Sequence, residues 1–95
     1  MTDILIIDDE RDIRELISEI LIDEGYTTRL AGTSDAAMRS IADERPAMLI
    51  LDIWLKDSAM DGIDILKSVK SNYPDIPVVI ISGHGNIEIA VAAIK

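Results

Sequence analysis

Three short apolar runs constrain what this chain can fold into: Ile4-Leu5-Ile6-Ile7, Met48-Leu49-Ile50-Leu51 and Val78-Val79-Ile80-Ile81. Each is continuous rather than alternating, rich in branched residues, and bounded by charged or turn-forming residues. A strand with one wet face alternates polar and apolar side chains. An unbroken run reads instead as a strand covered on both faces, as in a parallel sheet. A weaker strand over Thr27 to Ala31 follows Gly25 and carries polar positions, which suits a sheet edge.

Between the strands the period changes to that of a helix. Ile13, Leu16, Ile17, Ile20 and Leu21 recur as a single stripe. Asp8 or Asp9 offers that helix an N-cap, and Gly25 stops it where a left-handed residue is wanted. Ala36, Ala37, Met38 and Ile41 repeat the pattern more weakly behind Thr33 and Ser34 as caps. A third helix carries Ile63, Leu66 and Val69 and ends before Pro74, and a fourth begins near Asn86 and runs on to Lys95. Regular strand–helix alternation predicts an α/β fold: an open, doubly wound parallel sheet with helices on both faces and strands in the order 2-1-3-4. At 95 residues there is room for one domain, spanning 1–95.

Composition narrows the function. With no cysteine and one histidine, a disulfide scaffold is excluded and zinc or iron centres lack ligands. A net charge of −9 opposes direct nucleic-acid binding, since phosphate backbones attract positive surface. The longest apolar run, Ile89 to Ile94, falls far short of the ~18 residues of a membrane span. Met1-Thr2-Asp3 has no basic character of the kind that opens a secretory signal. The expectation is a soluble cytoplasmic protein with no membrane association.

In a sheet of this kind chemistry gathers where loops leave the carboxyl ends of the strands. Here those ends carry Asp8-Asp9, Asp52 and Ser82-Gly83-His84-Gly85. If the strands Ile4 to Ile7 and Met48 to Leu51 are neighbours, three carboxylates converge on one edge. So close together they repel, and a compensating cation stabilises them. Mg2+ suits them, since it takes oxygen ligands, keeps several waters and commonly uses one or two carboxylates plus a phosphate. Asp8 and Asp9 acting as simple helix caps, and Asp52 as a turn acid, are the plainer alternatives.

These residues also resemble a family. Leu5 to Glu10 (LIIDDE), Leu49 to Leu55 (LILDIWL), Met60-Asp61-Gly62 and Ile80 to Gly85 (IISGHG) look like the receiver domain of two-component response regulators. The likeness runs from Asp3 to Lys95 with its motifs in order, and within the family it is greatest to NtrX-type nitrogen regulators. The resemblance implies a flavodoxin-like receiver fold and a phospho-accepting switch in a phosphorelay. Asp52 would take a phosphoryl group from a sensor histidine kinase, NtrY-like by the same resemblance. Asp9 and Asp52 would hold Mg2+ directly, the Trp54 carbonyl would be a third protein ligand, and Asp8 would act mainly through water. Ser82 matches the hydroxyl that bonds the phosphoryl group. The activity implied is the domain's own phosphorylation, controlling an attached output domain of the transcription-regulator class.

The departures matter as well. The loop after Asp52 is two residues longer than the family pattern. The resemblance would also continue with the rest of the fourth helix, a fifth strand bearing a Lys-Pro step, and a fifth helix. The expected fold is therefore truncated after the fourth strand and part of the fourth helix. That leaves Val78 to Ile81 on an edge, either as part of a longer chain or covered by a second copy in a homodimer. Lys56 could reach the site from its loop, and His84 reads as a residue shaping its turn. Other readings are a Mg2+-dependent aspartyl phosphatase, a receiver-like module that does not phosphorylate, and a nucleotide site. Trp54, standing where such phosphatases carry a second acid, opposes the first. The absence of a glycine-rich loop after the first strand opposes the last.

Overall fold

The computed structural model describes residues 3–52, 62–82 and 88–91. Among the described residues five strands and three helices follow one another: β1 (Asp3–Ile7), α1 (Arg11–Asp23), β2 (Thr27–Ala31), α2 (Ser34–Asp43), β3 (Met48–Asp52), α3 (Gly62–Asn72), β4 (Val78–Ser82) and β5 (Glu88–Val91). They form one sheet in the order β2-β1-β3-β4-β5. The first three pairings are parallel, with Ile7 opposite both Ala31 and Leu51, and Asp52 opposite Ile81. The expected 2-1-3-4 arrangement is therefore present.

The continuous apolar runs are explained by the two cores. On one face Leu5, Ile7, Leu49, Leu51 and Val78 pack with Ala37 and Ile41 of α2 and Ile65 and Val69 of α3. On the other, Ile4, Ile6, Ile50 and Ile81 pack with Ile17 and Leu21 of α1. Each fully buried Leu or Ile contributes roughly 1.5–3 kcal/mol of transfer free energy. The central strands thus form a stiff platform for whatever stands at their ends.

Two helical stripes differ from their sequence pattern. On α1, Leu16 and Ile20 are exposed, while Ser18 is buried and its hydroxyl bonds Thr28 of β2 at 2.7 Å. That bond turns the helix toward β2 and leaves Leu16 and Ile20 beyond the packed face. On α3 the buried positions are Gly62, Ile65 and Val69, with Ile63 exposed. A glycine on the packed face contributes no side chain, so the apolar pattern begins one residue off the true contact line. The helix ends follow expectation more closely. Gly25 has φ of 95° after α1, and Thr33 caps α2 by accepting from the Ala36 N–H at 3.2 Å.

The helix expected from Asn86 is not what forms at 88–91. Glu88–Val91 is a strand, antiparallel to β4 with Val79 opposite Val91 and Ser82 opposite Glu88. An open β4 edge would leave a row of backbone donors and acceptors unpaired, and the branched Ile89 and Val91 suit a pleated strand. The expectation of a bare β4 edge, or one closed by a second copy, is corrected by the same pairing, because β5 of the same chain covers it.

At the far edge, Arg29 of β2 binds Asp3 of β1 at 2.7 Å and donates to the Ser40 and Glu44 carbonyls at the end of α2 at 2.8 and 2.7 Å. This joins strand, neighbour and helix through one guanidinium.

Leu49→Ala, in the middle of the sheet and fully buried, is expected to cost about 3 kcal/mol in urea unfolding. Leu30→Ala, at 45% exposure on β2, should cost less than about 1 kcal/mol. Equal losses would contradict a core divided in this way.

Candidate metal and phosphoryl site

Parallel register builds the site. Because Ile7 lies opposite Leu51, the residues that follow each, Asp8 and Asp52, emerge side by side at the carboxyl end of the sheet. Asp9 comes one residue later. One carboxylate oxygen from each of Asp8, Asp9 and Asp52 lies within 4.8 Å of the other two. Asp8 and Asp52 are buried at 3% and 4% exposure, and Asp9 is half-buried. The sequence expectation of converging acids is met.

The helix-cap alternative is not. The N-cap of α1 is Glu10, which makes no side-chain cap bond. Asp8 instead turns its Oδ1 to accept from the Glu10 N–H at 2.8 Å, while its own N–H donates to the Ala31 carbonyl at 3.1 Å. The turn is thereby pinned to the end of β2.

Burial pushes the Asp8 carboxyl up from 3.8 to about 6. The neighbouring charges of Asp52, Asp9 and Glu10 add to the rise, and the Glu10 N–H bond opposes it. Burial and neighbouring acids both disfavour the charged form, and a nearby cation would oppose them. Three converging oxygen donors fit a hard divalent cation such as Mg2+.

Ser82 ends β4 one residue beyond Ile81, the partner of Asp52. Its backbone therefore comes to the same sheet edge as the acids. Trp54, Lys56, Gly83 and His84 lie outside the described residues. A contributor that the sequence does not announce is Arg14, whose Nη1 donates to the Asp8 main-chain carbonyl at 2.6 Å. A side chain bonded to a carbonyl six residues back leaves no recognisable pattern. Its one sequence signal is that it is one of two cations, with Arg11, on the first turns of a strongly acidic helix.

Comparison with known proteins agrees with this geometry. The family model for the response regulator receiver domain matches residues 4–95. The nitrogen assimilation regulatory protein NtrX of Azorhizobium caulinodans is 56% identical over 93 residues, covering 98% of this chain and 20% of that protein. The chain thus spans about a fifth of the length of such curated relatives. The crystal structure of the NtrX receiver domain from Brucella abortus superposes with a TM-score of 0.84 at 51% identity, covering 88% of this chain and 70% of that one. The response regulator TrrA of Thermotoga maritima, solved in complex with Mg2+-BeF, gives a TM-score of 0.82 at 27% identity, covering 90% of this chain and 72% of that one.

The Asp8 shift has a testable sign. Its folded-state value lies above its unfolded one, so the native state holds the extra proton between 3.8 and about 6. Stability from this group is therefore full below the window and is lost as pH rises through it. In metal-free buffer, Asp8→Asn should flatten that part of the pH–stability curve and raise the urea midpoint at neutral pH. A midpoint lowered by Asp8→Asn would show that the carboxylate stabilises the fold.

Proposed function

We propose, on the premise that this chain belongs to the response regulator receiver domain family, that it is a phospho-accepting switch with Asp52 as acceptor. The observation that carries the reading is the meeting of Asp8, Asp9 and Asp52 within 4.8 Å at the ends of two central parallel strands. Phosphoryl transfer asks a protein mainly for in-line positioning and for charge neutralisation, and little for covalent work. That matches an edge built of acids on a rigid sheet.

In the transfer step a carboxylate oxygen of Asp52 attacks the phosphorus of a phosphohistidine on a sensor kinase. The P–N bond breaks, its electron pair returns to the imidazole, and an acyl phosphate remains on Asp52. Burial at 4% exposure limits water around that carboxylate. Asp9 and Asp52 would hold Mg2+, with the Trp54 carbonyl as a further ligand and Asp8 acting through water. When bound, the ion offsets charge on the transferring group. Ser82, the last residue of β4, would offer the hydroxyl that bonds the phosphoryl group.

The domain's chemistry is its own phosphorylation, with no turnover of a separate substrate. It occupies 1–95 as the receiver part of a longer regulator whose output domain controls transcription. Its partner is an NtrY-like sensor histidine kinase in the cytoplasm. The set of three acids supports this over a receiver-like module that has lost phosphorylation.

Incubation with acetyl phosphate and Mg2+, followed by intact-mass measurement, should show one added phosphoryl group. Asp52→Asn should abolish it and Asp9→Ala should slow it. Both variants are expected to keep the wild-type far-ultraviolet circular dichroism. Undiminished phosphorylation of Asp52→Asn at the same site would overturn the assignment.

A further inference from the structure

Asp8 is held by its main chain from two directions. Its N–H reaches the Ala31 carbonyl at the end of β2 at 3.1 Å. Its carbonyl accepts from Arg14 Nη1 on α1 at 2.6 Å. The next residue along is Asp9, so the Arg14 bond holds the peptide between two of the three clustered acids, and the Ala31 bond holds the peptide before it.

The Arg14 guanidinium lies against Gly32, the residue after Ala31. A Cβ placed on Gly32 would stand 2.8 Å from Arg14 Nη1 and 3.3 Å from its Cζ. At 2.8 Å something must shift, and the guanidinium, the far end of a flexible side chain, is the group able to move. Gly25 is the glycine with a left-handed φ, and Gly32 needs no such conformation. What glycine supplies at 32 is therefore room for a side chain from another element. A planar guanidinium with permanent charge and several donors fills such a slot and still directs one N–H at a carbonyl.

We propose that Arg14 is a positioning residue of the acidic centre, seated in a slot that Gly32 leaves open, and that this clamp sets the centre's affinity for divalent cations. The proposal rests on the reading that Asp8, Asp9 and Asp52 hold Mg2+. Groups one step removed from a metal typically change its affinity by about 10–100-fold when they are lost. Here the effect passes through the Asp8 peptide to the carboxylates on either side of it. It also adds Gly32, at the β2–α2 junction, to the tie that the Asp8 N–H already makes with Ala31.

The test is titration of the wild-type chain and its variants with Mg2+ alone, by calorimetry, beside urea unfolding in metal-free buffer. Arg14→Met is expected to weaken Mg2+ binding about tenfold. Gly32→Ala should produce a similar loss with Arg14 intact, because the methyl group evicts the guanidinium. Together they should lose no more than either alone, since both break one contact. Arg14→Lys, which keeps a donor, should recover part of the affinity. A general loss of stability would predict none of this non-additivity or rescue. Wild-type affinity in Gly32→Ala, or fully additive losses, would overturn the clamp. If Arg14→Met fails to fold, Gly32→Ala and Arg14→Lys decide the question by the same comparison with wild type. If the wild-type chain itself binds no Mg2+, the cation-site reading falls, an outcome distinct from failure of the clamp.

Discussion

Three carboxylates that repel one another are fixed together by strands that cannot move apart. Two unit charges at the 4.8 Å limit of the cluster oppose each other by roughly 3–4 kcal/mol at an effective dielectric of about 20. Residues free to relax would separate. These cannot, because β1 and β3 are locked in parallel register and their Ile and Leu side chains are buried in cores on both faces of the sheet. Apolar packing thus holds an unfavourable electrostatic arrangement in place. The raised proton affinity of Asp8 comes first from its burial, and the repulsion of Asp52 and Asp9 adds to it.

This division of labour fits membership in a family of regulatory receivers. On the proposed reading, the arrival of a cation and a phosphoryl group at such an edge would bring a large change in local charge. The sheet supplies the geometry, and the acids supply a concentration of negative charge at its edge.

Much of this was legible in the residues. The unbroken runs Ile4 to Ile7 and Met48 to Leu51 could hardly be anything but central strands. Acids directly after them then had to share an edge. The illegible parts share a physical cause: they depend on what a residue meets, not on what it is. Residues 88–91 carry a pattern that serves a helix or a strand, and the open edge of β4 decided between them. The α1 stripe was read too wide because the Ser18–Thr28 bond, which sets the helix's rotation, joins two polar residues ten positions apart. The capping role suggested for Asp8 and Asp9 gave way to a turn in which Asp8 serves Glu10 instead. The use of Gly32 likewise depends on the guanidinium beside it, which comes from another element.

The Arg29 guanidinium has a consequence for how the molecule comes apart. Helix α2 has no basic residue in its own last turn, so the negative end of its dipole lacks a cation of its own. Arg29 provides one from the adjoining strand, at the Ser40 and Glu44 carbonyls, and anchors it through Asp3. The helix terminus, the outer strand and the start of β1 therefore share one bond network. Fraying at any of them breaks contacts at the other two. This corner of the molecule should exchange its amide hydrogens as one cooperative unit rather than loosening residue by residue from its edge.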